Sequence, residues 1–586
     1  MPIANSTFVP KAIDARDWSQ VEPLIRDLLD RPVESPIDLE QWLVDRSELE
    51  AACSEAQANL YIAMTCHTDD ESVQAAYTRF VEEIPPKLKP LIFELDKRLV
   101  ALADKVGLGG ERYRVLLRDT RAGVDLFRPE NVPHETELEK LSQKFGQVSG
   151  AMTVNFQGRD RTLPEMARFG ESQDRTEREA AWRAVAECRL GVRGKMDTLL
   201  DEMIALRDKV ARNAGFADFI GYVFKSKLRF DYSPDDCVRF HEAVEQIVVP
   251  FNERCQSRRE RDMGLKALRP WDVSVDQKGR APLRPFDGGR ELFERSERAF
   301  STLDPRLAAM FRRLGSGMIP DSPHVQTRML DLDTRKGKSP GGYQYMRDRA
   351  REPFIFMNAA GLHRDLETMV HEAGHAFHSM LSADEPLLHY RNAPLEFCEV
   401  ASMSMELLTM PHWGGSGGFY PDRADLARAQ RQQIEGSVGL LSWIATIDAF
   451  QHWMYAHPTH TRQERDAHWL ELDARFGSMG RYRLDWSGLD PAFRSTHWQR
   501  QGHLFMSPFY YIEYGIAQLG ALQLWVKSLD EGPARAIEAY MNALRLGGSR
   551  PLPELFEACG LRFDFGAATL GPLLERVERE LEKLPE

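Results

Sequence analysis

The sequence predicts a mostly α-helical chain, and three observations carry that reading. Apolar residues recur at helical spacing along most of the 586 residues. Strand-like alternation is confined to a few short stretches. Proline, glycine and asparagine signals separate the periodic segments. Taken in order, Asp17 to Leu29, Ile37 to Leu60, Asp70 to Leu102 and Glu135 to Phe145 read as amphipathic helices. The Pro85-Pro86 pair marks a turn between two helices. Ala151 to Phe156, followed by Gln157-Gly158-Arg159-Asp160, reads as a small hairpin. Ser172-Gln173-Asp174-Arg175 opens a long helical region through Asn213. Arg258 to Arg261 mixes charges and reads as a solvated helix face. Gly337 to Tyr343 is a glycine-rich loop, and Pro353 to Asn358 reads as a short edge strand. Two helices follow, Asp365 to Leu381 and Pro394 to Met410, and His503 to Tyr514 is a third, which Pro508 kinks or starts. There is no internal repeat. A soft boundary falls near residue 200, dividing a helical N-terminal part (1–200) from a second part (201–586).

Bulk properties exclude several classes. A net charge of −13 and a pI of about 5.8 argue against nucleic acid or an anionic membrane as partner. The first residues contain no apolar signal core, and no run approaches the length of a membrane span. Seven cysteines without a C-x-x-C pair fit reduced thiols, so a cytoplasmic location is expected. The glycine-rich loop lacks the spacing of a phosphate-binding loop.

The most specific motif is His371-Glu372-Ala373-Gly374-His375, an H-E-x-x-H within a proline-free helix. Histidines four apart share a helix face, with about 6 Å of axial rise between them, so both imidazoles can reach one tetrahedral Zn²⁺. Glu372 is then placed as general base toward the water that zinc activates.

Catalytic zinc takes three protein ligands. His378 shares the face, but lies about 10 Å along the axis from His371, too far for one ion. The H-x-x-G-x-x-H continuation also fails, because positions 378 and 381 are His and Leu. The helix Pro394 to Met410 carries Glu396, Glu399 and Glu406 in an apolar, Met-rich setting. Buried carboxylates need a partner or a metal. Glu399 is assigned as third ligand and Glu406 as a group hydrogen-bonding a ligand histidine. Glu396 reads as an ordinary first-turn acid, and Cys398 as packing. In the third helix, His503, Tyr510 and Tyr514 fall at i, i+7 and i+11 and would line one face. That face suits either an aromatic core or donors to an oxyanion.

HEAGHAFH followed by EFCEVASMSMELL resembles the zinc oligopeptidase family of thimet oligopeptidase and oligoendopeptidase F, closer to the latter. Thr162 to Val185 and Thr446 to Pro458 resemble the same lineage, so the likeness covers roughly residues 90 to 560. The resemblance implies a large helical metallopeptidase with a small β element near the zinc helix and a deep substrate channel. It implies one Zn²⁺ per chain, held by His371, His375 and Glu399, and it makes 201–586 the catalytic domain. It implies that His503 and the tyrosines stabilise the tetrahedral intermediate, Tyr514 first and Tyr510 second. Tyr511 would point about 80° away from the His503 face. Gly341, Gly342 and Tyr343 would contact substrate. The implied reaction is internal cleavage of short unfolded peptides. A zinc carboxypeptidase and a non-enzymatic peptide-binding protein are the alternatives; the intact Glu372 argues against the second.

Overall fold

The computed structural model describes residues 6–318, 329–335, 337–339, 341–477 and 484–585. Pro340 of the expected glycine-rich loop lies outside them. Helices dominate. Trp18–Asp30 and Pro36–Cys66 open the chain. Pro36 occupies the first turn of the second helix, where its missing N–H costs nothing, and Ser35 and Asp38 form a reciprocal cap. The Pro85-Pro86 signal separates Glu71–Glu83 from Pro85–Val106. The expected hairpin is present as β1 (Thr153–Phe156) and β2 (Arg159–Thr162). Its turn residues Gln157 and Gly158 both have positive φ, 53° and 73°, as a two-residue turn of this hand requires.

One expectation about continuity changes. The region through Asn213 is two helices, Arg175–Gly191 and Arg193–Asn213, broken at Val192. The boundary near residue 200 falls inside the second of these. Two large buried clusters divide elsewhere. One runs from Val9 to Leu117 and is joined by Leu387 and Tyr390; the other begins at Leu141 and continues to Leu581.

A three-stranded sheet sits beside the motif helix His363–Leu381. Its strands are β3 (Leu330–Asp333), β4 (Tyr343–Arg347) and β5 (Glu352–Ala359), in the order β3-β5-β4. β5 pairs with β3 in parallel and with β4 antiparallel. The Pro353 to Asn358 stretch is therefore the central strand and not the edge strand expected; its run of buried residues reflects neighbours on both sides. The edge beside the motif helix is β4. The long N-terminal helix is fastened to this sheet, because Tyr343 shares a 2.7 Å hydrogen bond with Thr65 and Arg347 donates to Asn59 at 2.8 Å. β5 runs through a short turn into the motif helix, whose Asp365 accepts from the backbone N–H groups of Ala360 and Leu362.

Among the described residues, no helix is long and apolar enough to cross a membrane, and all seven cysteines are free.

Candidate active site

His371 and His375 lie on the motif helix, and Glu399 on the neighbouring helix Leu395–Thr409. The two helices meet at Gly374. A Cβ there would lie 2.5 Å from the Ala401 carbonyl oxygen and 2.6 Å from Ser402 Cα, so only glycine permits the approach. That approach brings Glu399 Oε2 within 3.5 Å of His371 Nε2 and 3.6 Å of His375 Nε2. Ligands about 2.0–2.1 Å from one tetrahedral ion are about 3.4 Å apart, so these three atoms fit zinc. His371 Nδ1 is held by Glu406 Oε1 at 2.7 Å, which directs Nε2 at the shared point. Glu406 is itself anchored by Gln433 from the helix Arg423–Ala456. Ser402 and Tyr510 donate to the two oxygens of Glu399, at 3.0 and 3.1 Å.

Burial governs the protonation of this group. It lowers the His375 imidazole to about 4 and lifts the Glu372 carboxyl to about 7. Burial also opposes protonation of His371, but the Glu406 hydrogen bond and the surrounding carboxylates outweigh it and carry that imidazole to about 9. The buried carboxylates of Glu372 and Glu399 and the half-buried one of Glu406, around two imidazoles, form a donor set whose negative charge a divalent cation balances.

His378 does not join them. It is buried, and its Nε2 has no hydrogen-bond partner among the described residues. Glu396, expected as a plain first-turn acid, is instead buried and accepts from Tyr232 at 2.7 Å beside Arg229. Cys398 Sγ packs against the Ala393 carbonyl.

His503 and the tyrosines do converge, by a different route from the single helix face expected. Gly502–Met506 and Tyr511–Glu531 are separate helices, and the turn between them contains Pro508 and Phe509 at φ 60°. The break cancels the i, i+7, i+11 alignment. It also brings Tyr511, expected to point away, nearest of the three rings to His503. The centroids of Tyr511, Tyr510 and Tyr514 lie 4.9, 5.5 and 6.0 Å from the His503 ring. Tyr514, Tyr511, His503, His371 and Glu406 line one cavity of about 510 Å³. Tyr343 turns its hydroxyl to Thr65 and stacks on Phe356, away from the histidines. Gly341 has φ 103° and its carbonyl accepts from Asn358; a Cβ on Gly342 would lie 3.4 Å from the Phe356 carbonyl oxygen.

Gln501, Trp443 and Gln433 carry no periodic or motif signal, and sequence reasoning missed them. Trp443 Nε1 can only donate. The Gln501 atom it meets at 3.2 Å is therefore the carbonyl oxygen, which also accepts from the Tyr511 hydroxyl at 2.9 Å. The Gln501 amide nitrogen then faces His503 Nδ1 at 2.7 Å. Nδ1 must accept, so the neutral imidazole carries its proton on Nε2. Burial, with Lys227 nearby, holds His503 below its ordinary pKa and so favours that neutral form.

The sequence profile of peptidase family M3 matches residues 168–295 and 315–571, and that of the M3 N-terminal domain matches residues 10–127. The chain belongs to peptidase family M3. An oligoendopeptidase F homolog of Borreliella burgdorferi is 25% identical over 240 residues, 39% of this chain and 38% of that protein. Oligopeptidase PepF of Bacillus subtilis is 25% identical over 240 residues, 40% of this chain and 34% of that protein. The match thus spans little more than a third of these curated relatives. Solved structures extend it. A putative oligoendopeptidase F and PZ peptidase A with an inhibitor each give a TM-score of 0.87 at 26% identity, covering 98% of this chain and 98% and 99% of theirs. The M3 fold of this chain is accordingly the large helical fold of oligoendopeptidase F.

Proposed function

We propose that this M3 chain is a zinc-dependent endopeptidase that cuts internal bonds of short, unfolded peptides. The reading rests above all on one juxtaposition: Glu399 Oε2 lies within 3.6 Å of both His371 Nε2 and His375 Nε2, with Glu372 next in the chain to His371, and His371 lines a cavity together with His503 and Tyr514. Zinc held by those three atoms would polarise the scissile carbonyl and bring a water molecule's pKa near neutrality.

The residues of the chain supply the remaining steps. Glu372 takes a proton from the attacking water and passes it to the leaving amine. Its burial suits it to both directions of transfer, because a carboxyl near neutrality gains and loses a proton readily. Tyr514 and the Nε2–H of His503 donate to the oxyanion, and Tyr510, whose single O–H holds Glu399, would join them only by releasing that carboxylate. Neither donor carries a fixed negative charge, and Gln501 keeps the His503 proton on the nitrogen that needs it. Substrate would lie extended along the β4 edge near Gly341 and Gly342. The chain divides in this reading into an N-terminal helical part and a catalytic part, and it works in the cytoplasm without membrane or nucleic acid.

The test is mass spectrometry of a mixture of short and long peptides incubated with the zinc-loaded protein, with Glu372→Gln in parallel. Internal cuts confined to short peptides, absent in the variant, are expected. Stepwise loss of C-terminal residues would replace this reading with a carboxypeptidase, and no cleavage by the zinc-loaded protein would replace it with a peptide-binding role.

A further inference from the structure

A second cluster of metal-ligating side chains lies away from the HExxH motif. Helix Pro234–Ala243 presents Cys237 and His241, one turn apart, and helix Arg423–Ala456 presents Asp448 and His452 with the same spacing. Residues four apart share a helix face, so the two packed helices place two i, i+4 pairs opposite each other. Ligand atoms of Cys237, Asp448 and His452 all lie within 4.8 Å of one another. Cys237 and Asp448 are fully buried, and His241 is 4% exposed.

The polar bookkeeping of this cluster is incomplete. Asp448 Oδ2 is met by His241 Nε2 at 2.8 Å. Asp448 Oδ1 has no hydrogen-bond partner among the described residues, and neither has His452 Nε2. His452 Nε2 stands 3.4 Å from Asp448 Oδ2, long for a hydrogen bond. That spacing does match the separation of about 3.4 Å between neighbouring tetrahedral zinc ligands. The surroundings are aromatic: Phe509 packs edge-on against His452 at 5.1 Å, Phe224 lies beyond it, and Phe476 faces His241. A carboxylate in such a setting needs a compensating charge, and an unpaired oxygen there is costly.

From this arrangement we infer a second, structural zinc site, with Cys237 Sγ, His452 Nε2 and the Asp448 carboxylate as ligands and His241 orienting the carboxylate. One ion would give the unpartnered His452 Nε2 a bond and balance the buried carboxylate charge at once. A thiolate, an imidazole and a carboxylate form the donor set of zinc rather than of magnesium or calcium. Binding releases the Cys237 proton to solvent as the thiolate–metal bond forms. The site ties the helix Pro234–Ala243 to the long helix Arg423–Ala456. It also lies directly behind the turn that delivers Tyr510, since Phe509 N donates to Gln451 at 2.6 Å, next to His452.

The two centres differ in one ligand that spectroscopy reads directly: only the inferred site has sulfur. The full chain would be loaded with Co²⁺ and its metal stoichiometry and absorption measured. Two equivalents per chain and a thiolate-to-cobalt charge-transfer band are expected. Cys237→Ser should remove the band and one equivalent, whereas Glu399→Ala should remove the other equivalent and leave the band. X-ray absorption of the zinc-loaded wild-type protein should show a sulfur neighbour at about 2.3 Å, which keeps the test independent of how the variants fold. One equivalent with no sulfur signal would overturn the inference, as would a band that survives Cys237→Ser. Neither outcome bears on peptide cleavage at the HExxH centre.

Discussion

The two halves of the candidate active site are built differently. His371, Glu372 and His375 sit on one uninterrupted helix, His363–Leu381, and receive Glu399 from a second continuous helix that Gly374 lets approach. His503 and its tyrosines sit on two helices joined by a turn, and a side-chain network through Gln501 and Trp443 sets their geometry. The difference separates tasks. In the proposed reading, regular helix holds the donors that would meet at one ion, where a small displacement would lose it, and a hydrogen-bonded turn holds the groups that would meet a substrate, where the directions of protons matter most.

That division yields graded expectations. The largest effect should come from Glu372→Gln in the helical half: kcat falling by about 10²–10⁴-fold with metal content unchanged, read by turnover and metal analysis together. Full activity in that variant would remove the proposed base. In the other half, Tyr514→Phe should cost about 10²–10³-fold in kcat/KM while metal is retained. Loss of metal would show that the halves are not separable, and the Tyr510 contact with Glu399 would be the route.

Smaller effects sharpen the contrast. Glu406→Ala leaves His371 Nδ1 without its acceptor and should weaken zinc binding by about 10–100-fold, measured by chelator competition. Gln501→Glu places a carboxylate against His503 Nδ1 and stabilises the imidazolium. The wild-type imidazole titrates below its ordinary value, so it is neutral at pH 7. In the variant the pKa rises and the imidazolium keeps its Nε2–H, but above the new value the carboxylate holds the remaining proton on Nδ1 and leaves Nε2 bare, so activity falls as pH increases through that value. Imidazole nitrogen NMR on His503 would follow the same shift. Activity lowered equally at all pH values, with the NMR titration unmoved, would reduce Gln501 to packing.

Most helices are legible in the sequence alone, because amphipathic periodicity reports burial of one face. The Pro85-Pro86 break and the Gln157-Gly158 turn were legible for local steric reasons. β5 was legible as a strand but not as a central one, because strand order depends on neighbours that a local pattern does not name. Tyr511 was misplaced by extending helical phase across Pro508. Glu396 reads as an ordinary first-turn acid in the sequence because Tyr232 and Arg229, which bury and satisfy it, lie more than 150 residues earlier.

By itself the sequence determined the helical class, the H-E-x-x-H spacing that sets two histidines on one helix face, and the acids available beside them. All of these follow from spacing along a single helix, where geometry is set by 3.6 residues per turn. The tertiary structure decided what meets across the chain. It set the Glu399–Tyr510 contact across 111 residues, the Trp443–Gln501 contact across 58 and the His241–Asp448 pair across 207. Such contacts depend on how closely helices approach and where a turn breaks phase. Those quantities are fixed by packing of the whole buried core and are not written in any one segment.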